Sequence, residues 1–218
     1  FLAESGASTW LMWLAAFSIL AASVIAMTKD NLKARLAYST ISQLSYITLG
    51  VALASSMGIL GGGLHVVMHA MGKITLFMCA GSIYVATHRT EISQMSGLGR
   101  RMPITFIAFL IGALSIIGLP PLGGSWSKWL LMVGAVDAEH LFILGVLLVS
   151  SLLNVAYLLP LVAKGFFLSN DTDAELAQSA EASPLVWGPP AATAFGCVVL
   201  FFYAGHIQNF LMPIVATN

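Results

Sequence analysis

The chain has 218 residues, of which 58% are hydrophobic and only 8% are charged, and its formal net charge is zero. Soluble domains carry about 25% charged residues, so this composition indicates a membrane protein surrounded by the lipid bilayer and excludes an ordinary soluble domain. A chain without net positive charge also gives no reason to expect a nucleic-acid partner.

Six apolar segments are long enough to cross a bilayer, which takes about 20 residues. The chain starts at Phe1 without a charged leader, so it is not a signal peptide, and a piece of a longer protein is expected. The predicted fold is an all-α membrane protein with six transmembrane helices, one of them broken. The predicted spans are residues 9–27, 34–55, 58–87, 103–136, 140–168 and 185–211.

Prolines and glycines are predicted to break, kink or interrupt three of these spans. The fourth segment, residues 103–136, contains GLPPLGGS at 118–125, which cannot continue a helix. The sequence therefore predicts two half-helices, 104–117 and 126–136. Pro160 is expected to kink the fifth span, and Gly188-Pro189-Pro190 to interrupt the sixth. The residues of the predicted helix break are Gly118, Pro120, Pro121, Gly123 and Gly124.

The charged residues of the links predict the orientation in the membrane. The links after the second and fourth spans contain no lysine or arginine, whereas those after the first, third and fifth spans are basic. Lysine and arginine favour the cytoplasmic side, so both ends of the chain are predicted to face outside. The basic flanking residues are Lys29, Lys33, Arg35, Arg89, Arg100, Arg101 and Lys164.

The third span carries three basic side chains at steps of four residues. His65, His69 and Lys73 would form one stripe on a helix and rise about 12 Å along its axis. A lysine at this depth costs roughly 2.5–3.5 kcal/mol on insertion scales, and burial disfavours its charged form. Such a row favours a proton relay through intervening waters. In the alternative interpretation, the three residues only bond to neighbouring helices.

Lys128 lies three residues beyond Ser125, at the start of the second half-helix. Broken helices at membrane depth occur where the backbone lines a cavity, so Lys128 is a candidate for one end of an ion path. Otherwise it extends to the membrane surface as an ordinary interfacial lysine. Lys33, at the start of the second span, is better explained as part of the basic flank, although a route to Lys73 could begin there.

Polar residues crowd the second span between Ser39 and Tyr46, where they either hold neighbouring helices together or order a file of water. Gly61-Gly62-Gly63 permits close helix approach. No GxGxxG, CxxC or HExxH motif occurs, and Cys79 and Cys197 lie in apolar stretches. The sequence therefore predicts neither a metal site nor a bound cofactor.

Three stretches resemble a family of antiporter-like membrane subunits. The run DNLKARLAYSTISQ, residues 30–43, is similar to the signature at one core helix of that family. The stripe from His65 to Lys73 resembles its central-lysine helix, and GLPPLGG with Ser127-Lys128-Trp129 resembles its second broken helix. The family comprises large subunits of Mrp-type cation/proton antiporters and proton-pumping subunits of respiratory complex I and related hydrogenases. In detail, the chain most resembles the large subunits of the Mrp-type antiporters.

The resemblance implies a place in a larger fold of about fourteen spans, built on two five-helix repeats of inverted topology. Residues 1–168 would form the second repeat, 169–184 a cytoplasmic loop, and 185–211 the final transmembrane helix. The missing partner would be the N-terminal repeat, which carries the family's glutamate–lysine pair.

The resemblance also implies roles for single residues. Lys33 would lie near the cytoplasmic entrance, His65 and His69 would connect the path, Lys73 would be the central relay, and Lys128 would be the terminal group.

Three functions remain open from the sequence. The leading hypothesis is a membrane subunit of a multisubunit Na⁺/H⁺ antiporter in the inner (plasma) membrane, which moves protons along the lysines, histidines and water. The alternative is a proton-translocating subunit of a complex I-type NADH–quinone oxidoreductase or membrane-bound hydrogenase, whose redox cofactors lie elsewhere. Both imply other membrane subunits as partners. The third is a structural helical bundle without transport.

Overall fold

The computed structural model describes residues 6–168 and 180–216, and these residues are almost entirely helical. The predicted fold class, an all-α membrane protein, is confirmed: four of the described helices are long and apolar enough to cross a membrane. The predicted loop over 169–179 lies outside the described residues. The described part contains eight α-helices: α1 Ala7–Thr28, α2 Leu32–Ala52, α3 Ser56–Thr87, α4 Leu98–Arg101, α5 Pro103–Ile117, α6 Gly124–Asp137, α7 Leu141–Phe167 and α8 Pro184–Ala216.

Side-chain oxygens begin three of these helices by accepting hydrogen bonds from free backbone amides. Asn31 accepts from the Ala34 amide at 3.0 Å before α2, and Ser55 accepts from the Gly58 amide at 3.1 Å before α3. The Glu181 carboxylate accepts from the Ile104 amide at 3.0 Å at the start of α5. A negative charge is favourable at this end of a helix, so Glu181 ties the chain before α8 to α5.

The predicted break between α5 and α6 is confirmed. α5 ends at Gly118, which has a φ of +94°, a backbone conformation that glycine adopts without strain. α6 begins at Gly124, where an added Cβ would lie 1.9 Å from the Ser115 carbonyl oxygen. Only glycine allows the two half-helices to approach this closely. The Gly123 amide donates to the Cys197 carbonyl at 3.1 Å, which joins the break to α8.

The predicted interruption of the last span at Gly188-Pro189-Pro190 is wrong, because α8 continues through both prolines. Proline at 190 has no amide to donate to the Val186 carbonyl four residues earlier. The Ser82 hydroxyl on α3 donates to that carbonyl at 3.1 Å instead. A hydrogen bond between helices thus replaces the bond that Pro190 removes. α7 likewise continues as one helix through Pro160.

Helix α3 lies at the centre of the bundle and packs against α2, α5, α6 and α8, while α1 packs against α2 and α7. Small residues make the closest contacts. A Cβ added to Gly61 would lie 2.7 Å from the Leu131 amide nitrogen on α6. The close approach predicted for the glycine run is therefore confirmed, and it brings α6 against the helix that carries the histidines and Lys73.

The first link, the third link and the C-terminal end of α7 meet at one end of the bundle. The Leu32 amide donates to the Thr90 carbonyl at 2.9 Å, and the Ser93 hydroxyl donates to the Asp30 carboxylate at 2.5 Å. The Gly97 amide donates to the Lys164 carbonyl at 3.1 Å. The basic first and third links thus lie on the same side as the C-terminal end of α7, and we predict that this side faces the cytoplasm.

Cysteine accessibility in intact cells tests this orientation. Position 95 in the third link is unsuitable because Met95 is buried, whereas Gln94 beside it is exposed. An impermeant outside reagent is expected to label Asp137→Cys, in the opposite link, and to leave Gln94→Cys unlabelled until the membrane is opened. The buried Cys79 and Cys197 give little background. Labelling of Gln94→Cys from outside would reverse the proposed topology.

Candidate functional site

Lys73 lies inside the bundle, where only 5% of its surface is exposed. Its Nζ donates to the Leu36 carbonyl at 3.1 Å and to the Ser39 hydroxyl at 2.6 Å, both on α2. These acceptors are uncharged. Among the described residues, the hydrogen-bond partners of the Lys73 amine are therefore dipoles and not carboxylates. Such partners do not require that the amine stay protonated.

His69 and His65 continue from Lys73 along α3, and both are buried. Their rings are nearly parallel, with centroids 5.8 Å apart. The His65 ring also stacks on Tyr46 of α2 at 5.4 Å, and its Nδ1 lies 2.9 Å from the Ser127 hydroxyl on α6. Steps of four residues place these side chains next to one another, so a continuous file of rings leads away from Lys73.

Lys128 stands at the other end of this file. It is 4% exposed, and its Nζ lies 5.0 Å from the centroid of the Tyr46 ring, a cation–π contact. The same Nζ donates to the Ile117 carbonyl at 3.1 Å, at the end of α5, and to the Ser151 hydroxyl at 3.3 Å on α7. The helix break thus provides the carbonyl that holds Lys128, as at other broken membrane helices.

A cavity of about 760 Å³ opens beside Lys128. Its wall is mostly apolar and includes Trp126 and Trp129 as well as the Ser125 and Ser151 hydroxyls. Lys128 is therefore buried on its Tyr46 side and borders an accessible space on the other. Lys73 does not line this cavity.

A second polar group joins α2 to α7 next to Lys73. The Tyr157 hydroxyl hydrogen-bonds with the Ser39 hydroxyl at 2.9 Å and with the Asn154 side-chain oxygen. The Gln43 amide donates to that same Asn154 oxygen at 3.4 Å. All four side chains are buried. Ser39 therefore contacts Lys73 on one side and Tyr157 on the other.

Several buried polar atoms along the file lack a hydrogen-bond partner among the described residues. Buried polar atoms in native proteins are almost always hydrogen-bonded, to protein or to ordered water, so these atoms are candidates for hydrogen bonds to water. The Tyr46 hydroxyl approaches Ser150 and Ser151 without a bond of good geometry. The unpaired atoms are His69 Nε2, His65 Nε2, the Tyr46 hydroxyl, Gln43 Oε1 and Asn154 Nδ2.

The structure brings together four of the predicted site residues, Lys73, His69, His65 and Lys128, in one buried file. Lys33 lies apart from them: it is exposed, and its Nζ is 5.2 Å from the centroid of the Tyr84 ring. Its role at a cytoplasmic entrance stays a prediction.

The polar residues of α2 connect it to neighbouring helices, which is one of the two purposes that the sequence left open, whereas their ordering of a file of water stays a prediction. Ser42 bonds to Ser23 at 2.9 Å and so joins α2 to α1, whereas Ser39 and Gln43 face the Lys73 region.

Sequence reasoning missed the contributions of α6 and α7. Four residues there were not among the predicted site residues: Ser127 contacts His65, Ser151 contacts Lys128, and Tyr157 and Asn154 connect to Lys73 through Ser39. The available signal was weak: Asn154 and Tyr157 are polar residues three positions apart in a mostly apolar span, and therefore share a helix face.

The fold and the site define a polytopic all-α membrane protein with buried bases arranged beside a broken helix. The family model for the transmembrane region of NADH:quinone oxidoreductase and Mrp antiporter proteins matches residues 1–154. The chain belongs to this NADH:quinone oxidoreductase/Mrp antiporter family, so the resemblance inferred from the three motifs is confirmed.

Two relatives show how the chain compares in sequence. It is 39% identical over 156 residues to NADH-quinone oxidoreductase subunit N of Desulforudis audaxviator (strain MP104C), covering 72% of this chain and 31% of that protein. It is 32% identical over 200 residues to NADH-quinone oxidoreductase subunit L of Rickettsia bellii (strain RML369-C), covering 91% of this chain and 30% of that protein. The chain thus spans about a third of the length of these curated relatives.

Two solved structures share the fold over nearly the whole chain. A chain of respiratory complex I from Thermus thermophilus with bound NADH matches 97% of this chain with a TM-score of 0.85 and 26% identity, over 44% of its own length. A chain of the Mrp complex from Dietzia sp. DQ12-45-1b matches 97% with a TM-score of 0.84, over 48% of its length. At 24% identity the second match shows the fold alone. Both neighbours are parts of multisubunit membrane complexes.

Proposed function

We propose that the chain is a proton-translocating membrane subunit, in which protons move between Lys73 and Lys128 through His69, His65, Tyr46 and bridging water. One observation carries the proposal: two buried lysines, each held by carbonyl and hydroxyl oxygens, stand at opposite ends of a file of stacked rings. A permanent charge in such surroundings is costly, whereas a lysine that gives up its proton is not.

The unpaired atoms support a path that includes water. His69 Nε2 and His65 Nε2 are buried without a partner among the described residues. An imidazole accepts a proton at one nitrogen and releases one from the other, so it can pass protons between waters on its two sides. The cavity beside Lys128 supports this lysine as the end of the path.

For the assembly, we propose a multisubunit Na⁺/H⁺ antiporter of the plasma membrane, with other membrane subunits as partners. The second candidate is a redox-driven complex that uses the same path, and the names of the relatives favour it, because both are NADH-quinone oxidoreductase subunits. In either assembly the remaining length of the protein would contribute to the activity.

Everted vesicles that contain the intact protein separate these candidates. For an antiporter, added NaCl is expected to dissipate an imposed pH gradient, reported by a fluorescent dye. For a redox-driven pump, NADH is expected to build the gradient, and iron–sulfur proteins should co-purify. Lys73→Ala is expected to remove whichever response is found. If neither response depends on Lys73, the chain is a structural bundle and the proposed function is wrong.

A further inference from the structure

The polar group between α2 and α7 lies outside the histidine file, yet it contacts Lys73 directly through Ser39. Lys73 donates to Ser39, Ser39 and Tyr157 share a hydrogen bond, and Tyr157 bonds to Asn154. Ser39, Tyr157 and Asn154 are fully or almost fully buried. The Ser39 and Tyr157 hydroxyls and the Asn154 amide therefore form a series that begins at the Lys73 amine. The directions of its hydrogen bonds can change with the charge of that amine.

The number of protons available restricts how this series can be arranged. A phenol hydroxyl has one proton, so Tyr157 donates either to Ser39 or to the Asn154 oxygen, but not to both. When it donates to Asn154, Ser39 donates to Tyr157. When it donates to Ser39, the Ser39 proton is free to turn towards Lys73.

Each arrangement suits one charge state of Lys73. An ammonium has only donors, so a charged Lys73 requires that Ser39 accept from it and pass its own proton to Tyr157. A neutral amine has a lone pair, so Ser39 can donate to Nζ while Tyr157 donates to Ser39. No proton leaves its own oxygen in this change: the two hydroxyls only rotate.

We propose that Ser39, Tyr157 and Asn154 form a rotating hydrogen-bond chain that stabilises Lys73 in both of its charge states. The Asn154 oxygen, at the far end, favours the arrangement that suits the charged lysine. Tyr157 and Asn154 are therefore positioning residues, since they act on the proton path through Ser39 and Lys73. This inference rests on the proposed function, because it assigns the chain a task only if Lys73 exchanges a proton.

The other titratable or charged groups in this region are few, and they do not replace the chain. α5 contributes none in its sequence. Arg35 donates to the backbone carbonyl of Tyr157 at 3.1 Å and keeps its charge at all relevant pH values. Among the described residues, the remaining buried titratable groups on Lys73's own helix and on the helices packed around it are His65, His69 and Cys79 on α3, Tyr46 on α2, Lys128 on α6 and Cys197 on α8. The others on these helices are exposed or partly exposed, namely Lys33, Tyr38, Tyr84, Asp137, Tyr203 and His206.

The pH profile of transport tests the proposal, since its alkaline limb reports where Lys73 no longer regains a proton. Tyr157→Phe keeps the ring but leaves Ser39 without an outward acceptor, so the alkaline limb is expected to move about one pH unit lower. Asn154→Leu should move it in the same direction. Asn154→Asp, which places a negative charge at the end of the chain, should move it higher.

The measurement uses proton flux in everted vesicles with the intact protein, at matched expression. Tyr203→Phe and Asn209→Leu on the exposed side of α8 are the matched controls and should leave the profile unchanged. Unshifted profiles in Tyr157→Phe and both Asn154 variants, or equal shifts in Asn154→Leu and Asn154→Asp, would overturn the hydrogen-bond chain while the Lys73 path stands. Retained flux in Lys73→Ala would overturn the proposed function and this inference together.

Discussion

Replacing Lys73 by alanine is expected to reduce proton-coupled flux by about a hundredfold or more, the usual cost of removing an essential proton-transfer group. Lys73 is the group that α2 holds through Leu36 and Ser39, and alanine leaves no side chain there that can take up and hold a proton. Insertion should be unharmed, since the change removes a buried amine that is costly in the membrane. Flux in everted vesicles, normalised to protein in the membrane, is the measurement.

Two further variants separate a relay from a packing role. Lys73→Arg keeps a positive charge that cannot be released, so it should also be inactive and should insert less well. His65→Ala and His69→Ala should each slow flux only in part, because water can occupy the space of one ring. Lys29→Ala, at the end of the bundle, is the control. Wild-type coupling in Lys73→Ala would show that the buried row is a packing feature.

Replacing Lys128 by alanine is expected to cause a loss of similar size, with the protein still inserted. Lys128 packs on Gly118, where an added Cβ would lie 2.8 Å from Lys128 Cδ. Gly118→Ala should therefore displace Lys128 from the Ile117 carbonyl and reduce flux without removing any titratable group. Alanine also strains the backbone at the φ of +94° that Gly118 adopts, so a loss of flux in Gly118→Ala would support the helix break as the element that positions Lys128.

Flux in the same everted vesicles also measures the control variant and shows which result would contradict the role of Lys128. Lys128→Arg should fail, because arginine does not release its proton under these conditions. Lys164→Ala, in the last turn of α7, should retain activity. If Lys128→Ala and Lys128→Arg both transported normally, the path would have to end elsewhere.

Local patterns in the sequence were sufficient to predict the helix break and the row of basic residues on α3. The helix break follows from Pro120, Pro121 and the flanking glycines, because these residues act on the backbone where they stand. The row from His65 to Lys73 follows from helical periodicity. Such features depend on near neighbours in the chain, and the structure shows them where they were expected.

Features that depend on distant residues could not be predicted in this way. Pro190 lies inside a continuous helix because Ser82, 104 positions away from Val186, bonds to the free carbonyl. Tyr157 joins the site because side-chain hydrogen bonds connect α7 to Ser39 and Gln43 of α2, which no pattern within α7 reveals. Lys33 is a lysine near the start of an apolar span, as Lys128 is, yet its side chain is exposed.

The last helix has a consequence for the response of the protein to its lipids. α8 has 33 residues, so it is about 50 Å long, whereas the hydrocarbon layer is about 30 Å thick. A helix of this length adjusts to bilayer thickness by tilting. The Cys197 carbonyl of α8 accepts a hydrogen bond from the Gly123 amide at the helix break, so we expect a change in tilt to be transmitted to the loop beside Lys128. Bilayer thickness is therefore expected to alter the position of the lysine at the end of the proposed path.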